Sequence, residues 1–342
     1  MRMKKMANLM RAMQIEKYGH VALVSKQVPV PEIGANDVLV AIRAASVNPI
    51  DFKTRDGEVK LLVKHQMPLT LGHDFSGVIV KVGKQVTKFK VGDEVYGRPR
   101  DSRIGTFAEY LAVNANDIAL KPRNLTFVEA AAIPLVALTS YQALIDIAKL
   151  KPHQKVFIQA GAGGVGSIAI QLAKILGAYV ATTTSAKNEK WVRTLGTDQI
   201  IDYHKQDFET ALKDYDMVFD TLGGQQLRKA FKVVKPHGTI VSLSGLPNAK
   251  FARERKLGWF KTLLFGLVTL NLSRLERRSK VSYDFLFMQA SGKELEQLTK
   301  WIEAGKIKPV VDKVFTLRDA QKALNYSEKG HAQGKIIIKV SE

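Results

Sequence analysis

One stretch constrains the fold of this chain more than any other. Residues 157–174 read FIQAGAGGVGSIAIQLAK, an apolar run entering glycines spaced G-x-G-x-x-G (Gly161, Gly163, Gly166) and leaving as a helical pattern. Alone the string says little. Here it closes an expected strand, opens a helix and lies within a series of strand–helix units, the context that a dinucleotide-binding turn requires. Gly161 is expected to permit the tight turn, Gly163 to admit the pyrophosphate close to the backbone, and Gly166 to let helix and strand pack. The N–H groups of Gly164 and Val165 at the helix start would face the anion.

The pattern around this loop predicts an α/β protein of two parts. Short β-type runs at 37–47, 75–83, 93–97 and 107–114, broken by Gly, Asn or Pro, predict a β-rich first unit. From there strands alternate with helices, at 155–160, 179–184, 199–202, 216–221, 238–243 and 281–287, which predicts a doubly wound parallel sheet. After a helix at 292–304, PVVDKVFTL and GKIIIKV return to β-type runs and are expected to rejoin the first unit. The expected domains are therefore 1–135 with 306–342, discontinuous, and 136–305. Residues 1–12 read as a ragged basic extension before a strand that begins near Met13.

With 342 residues the chain is long enough for two domains, and 46% hydrophobic with 25% charged residues is the composition of a folded globular protein. No apolar run approaches the ~18–20 residues of a membrane-spanning helix. The basic start lacks the apolar core of an export signal, so a cytoplasmic setting is expected. Absence of cysteine excludes disulfides, thiolate zinc sites and cysteine-bound iron–sulfur clusters. The net charge of +20 is unusual, and residues 250–280 concentrate it, with nine Lys/Arg against Glu254 and Glu276. The centre of that segment, WFKTLLFGLVTL, is apolar. Three readings stand open for it: a peripheral membrane contact burying Trp259, Phe260 and Phe265, a lid over substrate, or packing between subunits. Nucleic acid is not expected as a partner.

A nicotinamide dinucleotide without a 2′-phosphate usually meets an Asp or Glu about 20 residues past the glycines. This chain has TTTSAKNEK there, with Ser185 and Lys187 and no acid before Glu189. A hydroxyl and an ammonium suit a 2′-phosphate and a carboxylate would repel it, so the expected cofactor is NADPH, with Tyr203 covering the same pocket.

Several motifs taken together resemble the medium-chain dehydrogenase/reductase superfamily, in its zinc-independent quinone oxidoreductase (zeta-crystallin-like) branch. They are ASVNPIDFKTRDG, PLTLGHDFSGVIVKVG, VGDEVYG, GTFAEYL, AAAIPLVALTSYQAL, GAGGVG and GTIVSLSG. The resemblance runs over nearly the whole chain. It implies a GroES-like catalytic domain, a Rossmann domain, an active site in the cleft between them, and a homodimer. Zinc-dependent relatives carry Cys where this chain has Asn48, and Gly-His-Glu where it has Gly72, His73 and Asp74, so no metal is expected. His73 is expected to make structural hydrogen bonds and Asp51 to brace its loop.

Without a Lewis acid, conjugated acceptors are the tractable substrates, because hydride added at a remote carbon delivers charge to the carbonyl oxygen. The expected activity is therefore NADPH-dependent reduction of quinones or α,β-unsaturated carbonyls. The resemblance implies Asn48 as an amide donor, Thr139 near the nicotinamide, and Tyr96 as a candidate acid. It also implies Leu243, Ser244 and Gly245 flanking the nicotinamide, and Lys335 near the cofactor cleft. Two other readings remain: an NADPH-binding protein that associates with RNA or membrane and catalyses little, and a zinc-type alcohol dehydrogenase.

Overall fold

The computed structural model describes residues 8–330 and 332–341. Residues 1–7 of the expected N-terminal extension lie outside the described residues. Among the described residues the first strand is Leu9–Ile15, so it starts at Leu9 rather than near Met13.

The chain divides into two units, one running to Leu138 and resuming at Gln289, the other spanning Thr139–Met288. The first unit is built on a seven-stranded sheet. Its main path runs Val311–Thr316, Lys335–Lys339, Asp37–Val47, Asp74–Val82, Glu94–Gly97, Ile118–Leu120, and Tyr110–Asn114 pairs with Asp37–Val47 as well. Alternating apolar side chains from these strands (Val38, Val40, Ile42, Phe75, Ile79, Val95) close one core. The run KIIIK enters as the late strand, antiparallel to Asp37–Val47 with Ile338 opposite Ala45.

The boundary on that side differs from expectation. The helix Gly292–Glu303, expected in the second domain, belongs to the first unit. Its buried face carries Leu295, Leu298 and Ile302. A Cβ on Gly292 would meet the Ile118 carbonyl oxygen at 2.3 Å, so only glycine permits this approach. Asn124 donates to the Ile302 carbonyl at 2.9 Å and fixes the other end. Helical periodicity located the helix but could not tell which sheet its apolar face would cover.

The second unit holds a six-stranded sheet in the order Gln199–Asp202, Tyr179–Thr184, Lys155–Ile158, Tyr215–Asp220, Val234–Ser242, Ser282–Phe285. Every neighbouring pair is parallel. In chain order this is 3-2-1-4-5-6, so the direction of winding reverses beside Lys155–Ile158, where doubly wound sheets place their ligands. Phe157 anchors the core beneath, its ring 4.8 Å from that of Phe208, and truncation of such a fully buried ring to Ala costs about 3–5 kcal/mol. The following helix, Gly164–Ile175, buries residues from Gly166 to Ala173 and ends where Gly177 turns at φ 77°. The basic segment folds as three helices, Ala249–Glu254, Trp259–Val268 and Leu270–Ser279. No helix among the described residues is long and apolar enough to cross a membrane.

Candidate active site

The glycine loop sits where the sheet reverses. The residue with left-handed backbone is Ala160 (φ 51°), not Gly161, so the turn expected of the glycine is made one position earlier. A non-glycine residue there costs about 1 kcal/mol. Its N–H donates to Thr183 Oγ1 (3.0 Å) and its carbonyl accepts from the Gly163 N–H (2.9 Å), which holds the bend. Gly161 is needed for contact instead: a Cβ would meet Thr182 Oγ1 at 2.4 Å. Gly166 is needed for helix–strand approach, since a Cβ would lie 2.3 Å from the Ala160 carbonyl oxygen. The first intrahelical bond past the loop joins the Ser167 N–H to the Gly163 carbonyl at 2.9 Å. The N–H groups of Gly164, Val165 and Gly166 precede it and are those a helix start presents to an anion. The loop fits a dinucleotide's diphosphate.

At the next strand end the structure brings Ser185 and Tyr203 to neighbouring positions. Thr184 pairs with Asp202, and the Tyr203 N–H donates to the Thr184 carbonyl at 3.4 Å. Ser185 is the N-cap of the helix Ala186–Thr194, Lys187 in its first turn is exposed, and Tyr203 is 58% exposed with its ring 4.3 Å from His204. The nearest acid on that helix, Glu189, is paired with Arg193 at 2.8 Å.

The fourth and fifth strands supply a third group. Leu243 donates its N–H to the Asp220 carbonyl (2.9 Å), Ser244 Oγ to the Thr221 carbonyl (2.9 Å), and the Gly245 N–H to Ser242 Oγ (2.8 Å). Gly223, at φ 71°, passes so close that a Cβ would meet the Ser244 carbonyl oxygen at 2.3 Å. Beneath them Asp220 accepts from the Gly223 N–H (2.9 Å) and from Ser242 Oγ, and burial pushes its carboxyl above the usual range. Thr139 is buried in the helix Pro134–Tyr141. Its neighbour Ser140 donates to the Val165 carbonyl at 3.4 Å, which ties this helix to the glycine-loop helix.

In the first unit, Asn48, Asp74 and Lys335 form a buried knot. The Asn48 amide donates to Asp74 Oδ2 (3.0 Å) and to the Ser46 carbonyl (3.3 Å), and its Oδ1 accepts from Lys335 Nζ. Lys335 Nζ also reaches Asp74 Oδ2 (3.3 Å) and the Val47 carbonyl (3.4 Å). Asp74 further accepts from Ser46 Oγ (2.6 Å) and the Leu135 N–H (2.8 Å). Burial lowers the Lys335 pKa, opposed by the charges of Asp74 and Asp51. Alongside, the Asp51 carboxylate accepts the Asn48 backbone N–H (2.7 Å) and lies 2.6 Å from His73 Nδ1. His73 thus makes the structural bond expected, and Asp51 braces the loop.

Two expectations change here. Asn48, expected as an amide donor toward substrate or the nicotinamide ribose, gives its amide to Asp74 Oδ2 and the Ser46 carbonyl. Tyr96, a candidate acid, is fully buried, with its hydroxyl 2.9 Å from the Leu295 carbonyl and 2.9 Å from Thr299 Oγ1. Those two bonds make Tyr96 an anchor of the helix Gly292–Glu303, and burial pushes its pKa above the ordinary tyrosine value. Sequence reading missed Ser46, and it missed that Lys335 joins Asn48. The available signal was a lysine heading an isoleucine run in KIIIK.

A group with metal-like spacing elsewhere, His20, Asp56 and Glu328, is closed by the buried guanidinium of Arg55, which bonds all three.

A GroES-type sheet and a dinucleotide-binding parallel sheet in one chain define an oxidoreductase class. Residues 34–123 match the profile of the alcohol dehydrogenase GroES-like domain, and residues 195–338 that of the zinc-binding dehydrogenase. The chain is 38% identical to a 2-methylene-furan-3-one reductase from Solanum lycopersicum, over 96% of this chain and 79% of that protein. It is 36% identical to an NADPH-dependent alkenal/one oxidoreductase from Arabidopsis thaliana, with the same coverages of 96% and 79%. The solved quinone oxidoreductase from Coxiella burnetii superposes with a TM-score of 0.84 at 33% identity, covering 98% of this chain and 100% of that one. The chain belongs to the medium-chain dehydrogenase/reductase superfamily, in the branch of the quinone and alkenal/one oxidoreductases.

Proposed function

We propose that this protein is an NADPH-dependent, metal-free reductase of quinones or α,β-unsaturated carbonyls. The knot at Asn48 carries the reading. A catalytic zinc wants three protein ligands and an open position. Here the residues that would supply them are a neutral amide, a carboxylate already bonded to an ammonium, and an imidazole held by Asp51. A second cation beside Lys335 would be repelled. This donor set does not fit zinc.

The names of the relatives support the substrate class, and the acid-free strand end at Ser185 and Lys187 supports the 2′-phosphate. When bound, NADPH supplies a hydride from its nicotinamide. The glycine loop and the helix start at Gly164 would hold the diphosphate. Ser185, Lys187 and Tyr203 would hold the adenosine phosphate, and the pinned backbone of Leu243, Ser244 and Gly245, with Thr139, would flank the nicotinamide. Asn48, with its amide committed, acts as a positioning residue for the start of the helix Pro49–Asp56. In the acceptor, a C–H bond forms at the remote carbon, the C=C π pair moves toward the carbonyl oxygen, and water delivers the balancing proton. A homodimer and a cytoplasmic setting are part of the same proposal, tested by sedimentation and cell fractionation.

The test is NADPH oxidation followed by absorbance against a panel of quinones, enals and enones, with and without chelator. Turnover that survives chelation supports the reading. No turnover on any acceptor, or activity lost to chelator and restored by zinc, sinks it.

A further inference from the structure

The helix Trp259–Val268 is apolar on both sides. Phe265 is buried inward. Facing out are Trp259 (79% exposed), Phe260 (63%), Leu263 (56%) and Leu267 (56%). Their spacing of i, i+1, i+4 and i+8 places them on one stripe of the helix, opposite Phe265. A helix with apolar residues on opposite faces belongs in an interior or at an apolar boundary, and this one, its polar residues being Lys261 and Thr262, meets solvent along the stripe.

The surroundings of the stripe are cationic. Exposed Arg253 and Lys256 precede it, exposed Arg274, Arg277 and Arg278 follow in the next helix, and exposed Lys280 lies just past that helix's end. Within 250–280 the acids are Glu254 and Glu276 alone, in a chain of net charge +20. Glu276 is occupied in accepting the Tyr283 N–H at 2.9 Å.

Three occupants are conceivable, and charge separates them. A second copy meeting the stripe through a two-fold axis would set this basic rim against itself. A nucleic acid would satisfy the cations but leave Leu263 and Leu267 without an apolar partner. An anionic bilayer satisfies both, taking the Trp, Phe and Leu side chains into the acyl boundary and the Arg and Lys heads among the phosphates.

We propose that the stripe Trp259, Phe260, Leu263 and Leu267, with its basic rim, is a docking surface for the face of an anionic lipid bilayer. The stripe is independent of the acceptor chemistry. None of its residues is among those that would hold cofactor or acceptor, and vesicle binding is measured without turnover.

The experiment is flotation of the whole chain with phosphatidylcholine vesicles, and with vesicles containing roughly one part in three phosphatidylglycerol. The protein is expected to float with the anionic vesicles at low salt and to be released as salt rises. Trp259→Ala/Phe260→Ala is expected to weaken partitioning about tenfold with melting unchanged, because both side chains are exposed. Leu263→Gln/Leu267→Gln serves as an independent variant of the same stripe. Arg274→Gln/Arg277→Gln/Arg278→Gln is expected to flatten the salt dependence. No flotation of the wild type overturns the proposal, as does binding that both apolar variants retain. A concentration-dependent dimer, or an RNA gel shift, that the apolar variants abolish while vesicles stay unbound assigns the stripe to another occupant and overturns it equally.

Discussion

Lys335 Nζ lies 3.3 Å from Asp74 Oδ2, an ammonium and a carboxylate that are both buried. A buried pair contributes less to net stability than its geometry suggests, because both charges left water to form it. Removing one partner is costly all the same. Lys335→Ala leaves Asp74 without its counter-charge and is expected to lose about 3 kcal/mol in denaturant unfolding. Lys335→Met with Asp74→Asn removes both charges and is expected to recover part of that loss. A double variant less stable than Lys335→Ala would show that the stranded charge is not what causes the loss.

Gly166 and Gly163 separate packing from binding. A Cβ at Gly166 meets fixed backbone at 2.3 Å and 2.8 Å, so Gly166→Ala is expected to lower stability by about 1–3 kcal/mol as well as weaken NADPH binding. At Gly163 the nearest atom stands at 3.3 Å. Gly163→Ala is therefore expected to raise the Kd for NADPH with little change in melting temperature. Calorimetry beside cofactor titration distinguishes the two.

Cofactor choice is expected to follow Lys187. Lys187→Ala should raise KM for NADPH about tenfold, the scale of one charge-assisted phosphate contact, and leave KM for NADH unchanged. Ser185→Asp should shift preference toward NADH. Equal changes for both cofactors would place the 2′-phosphate elsewhere.

Three buried tyrosines set the alkaline limb of stability. Burial pushes the pKa values of Tyr96, Tyr215 and Tyr283 above the ordinary tyrosine value. Folded, they keep their protons at a pH where the unfolded chain releases them. Their contribution is complete below pH about 10 and is lost above it, at up to about 1.4 kcal/mol per pH unit for each group. Tyr96→Phe is expected to reduce this slope between pH 9.5 and 11, roughly spanning the ordinary tyrosine titration. A slope identical to wild type would remove Tyr96 from the account.

What could be read in the sequence was local. The glycine loop, the acid-free TTTSAK and the strand periodicities each rest on residues a few positions apart. What could not be read was set by distant partners. Asn48 reads as an amide aimed at a ligand until Asp74 and Lys335 arrive from 26 and 287 positions away. Tyr96, beside a glycine, gives no sign of Leu295. Ala160 takes the left-handed turn because Thr183 and Gly163 hold it there, against its own preference, so residue type pointed to the glycine instead.

The discontinuous first unit has a consequence for synthesis. Strand Lys335–Lys339 completes its sheet, and the whole of the second unit is translated before that strand appears. As the chain leaves the ribosome, Thr139–Met288 has all of its own strands early. The earlier residues must wait with the Ala44–Val47 end of the strand Asp37–Val47 open, its other end already paired with Tyr110–Asn114, and with Asp74 uncompensated. A segment made late neutralises a carboxylate made early, so a nascent chain stalled before Lys335 is expected to hold a finished nucleotide-binding half and an unfinished catalytic one.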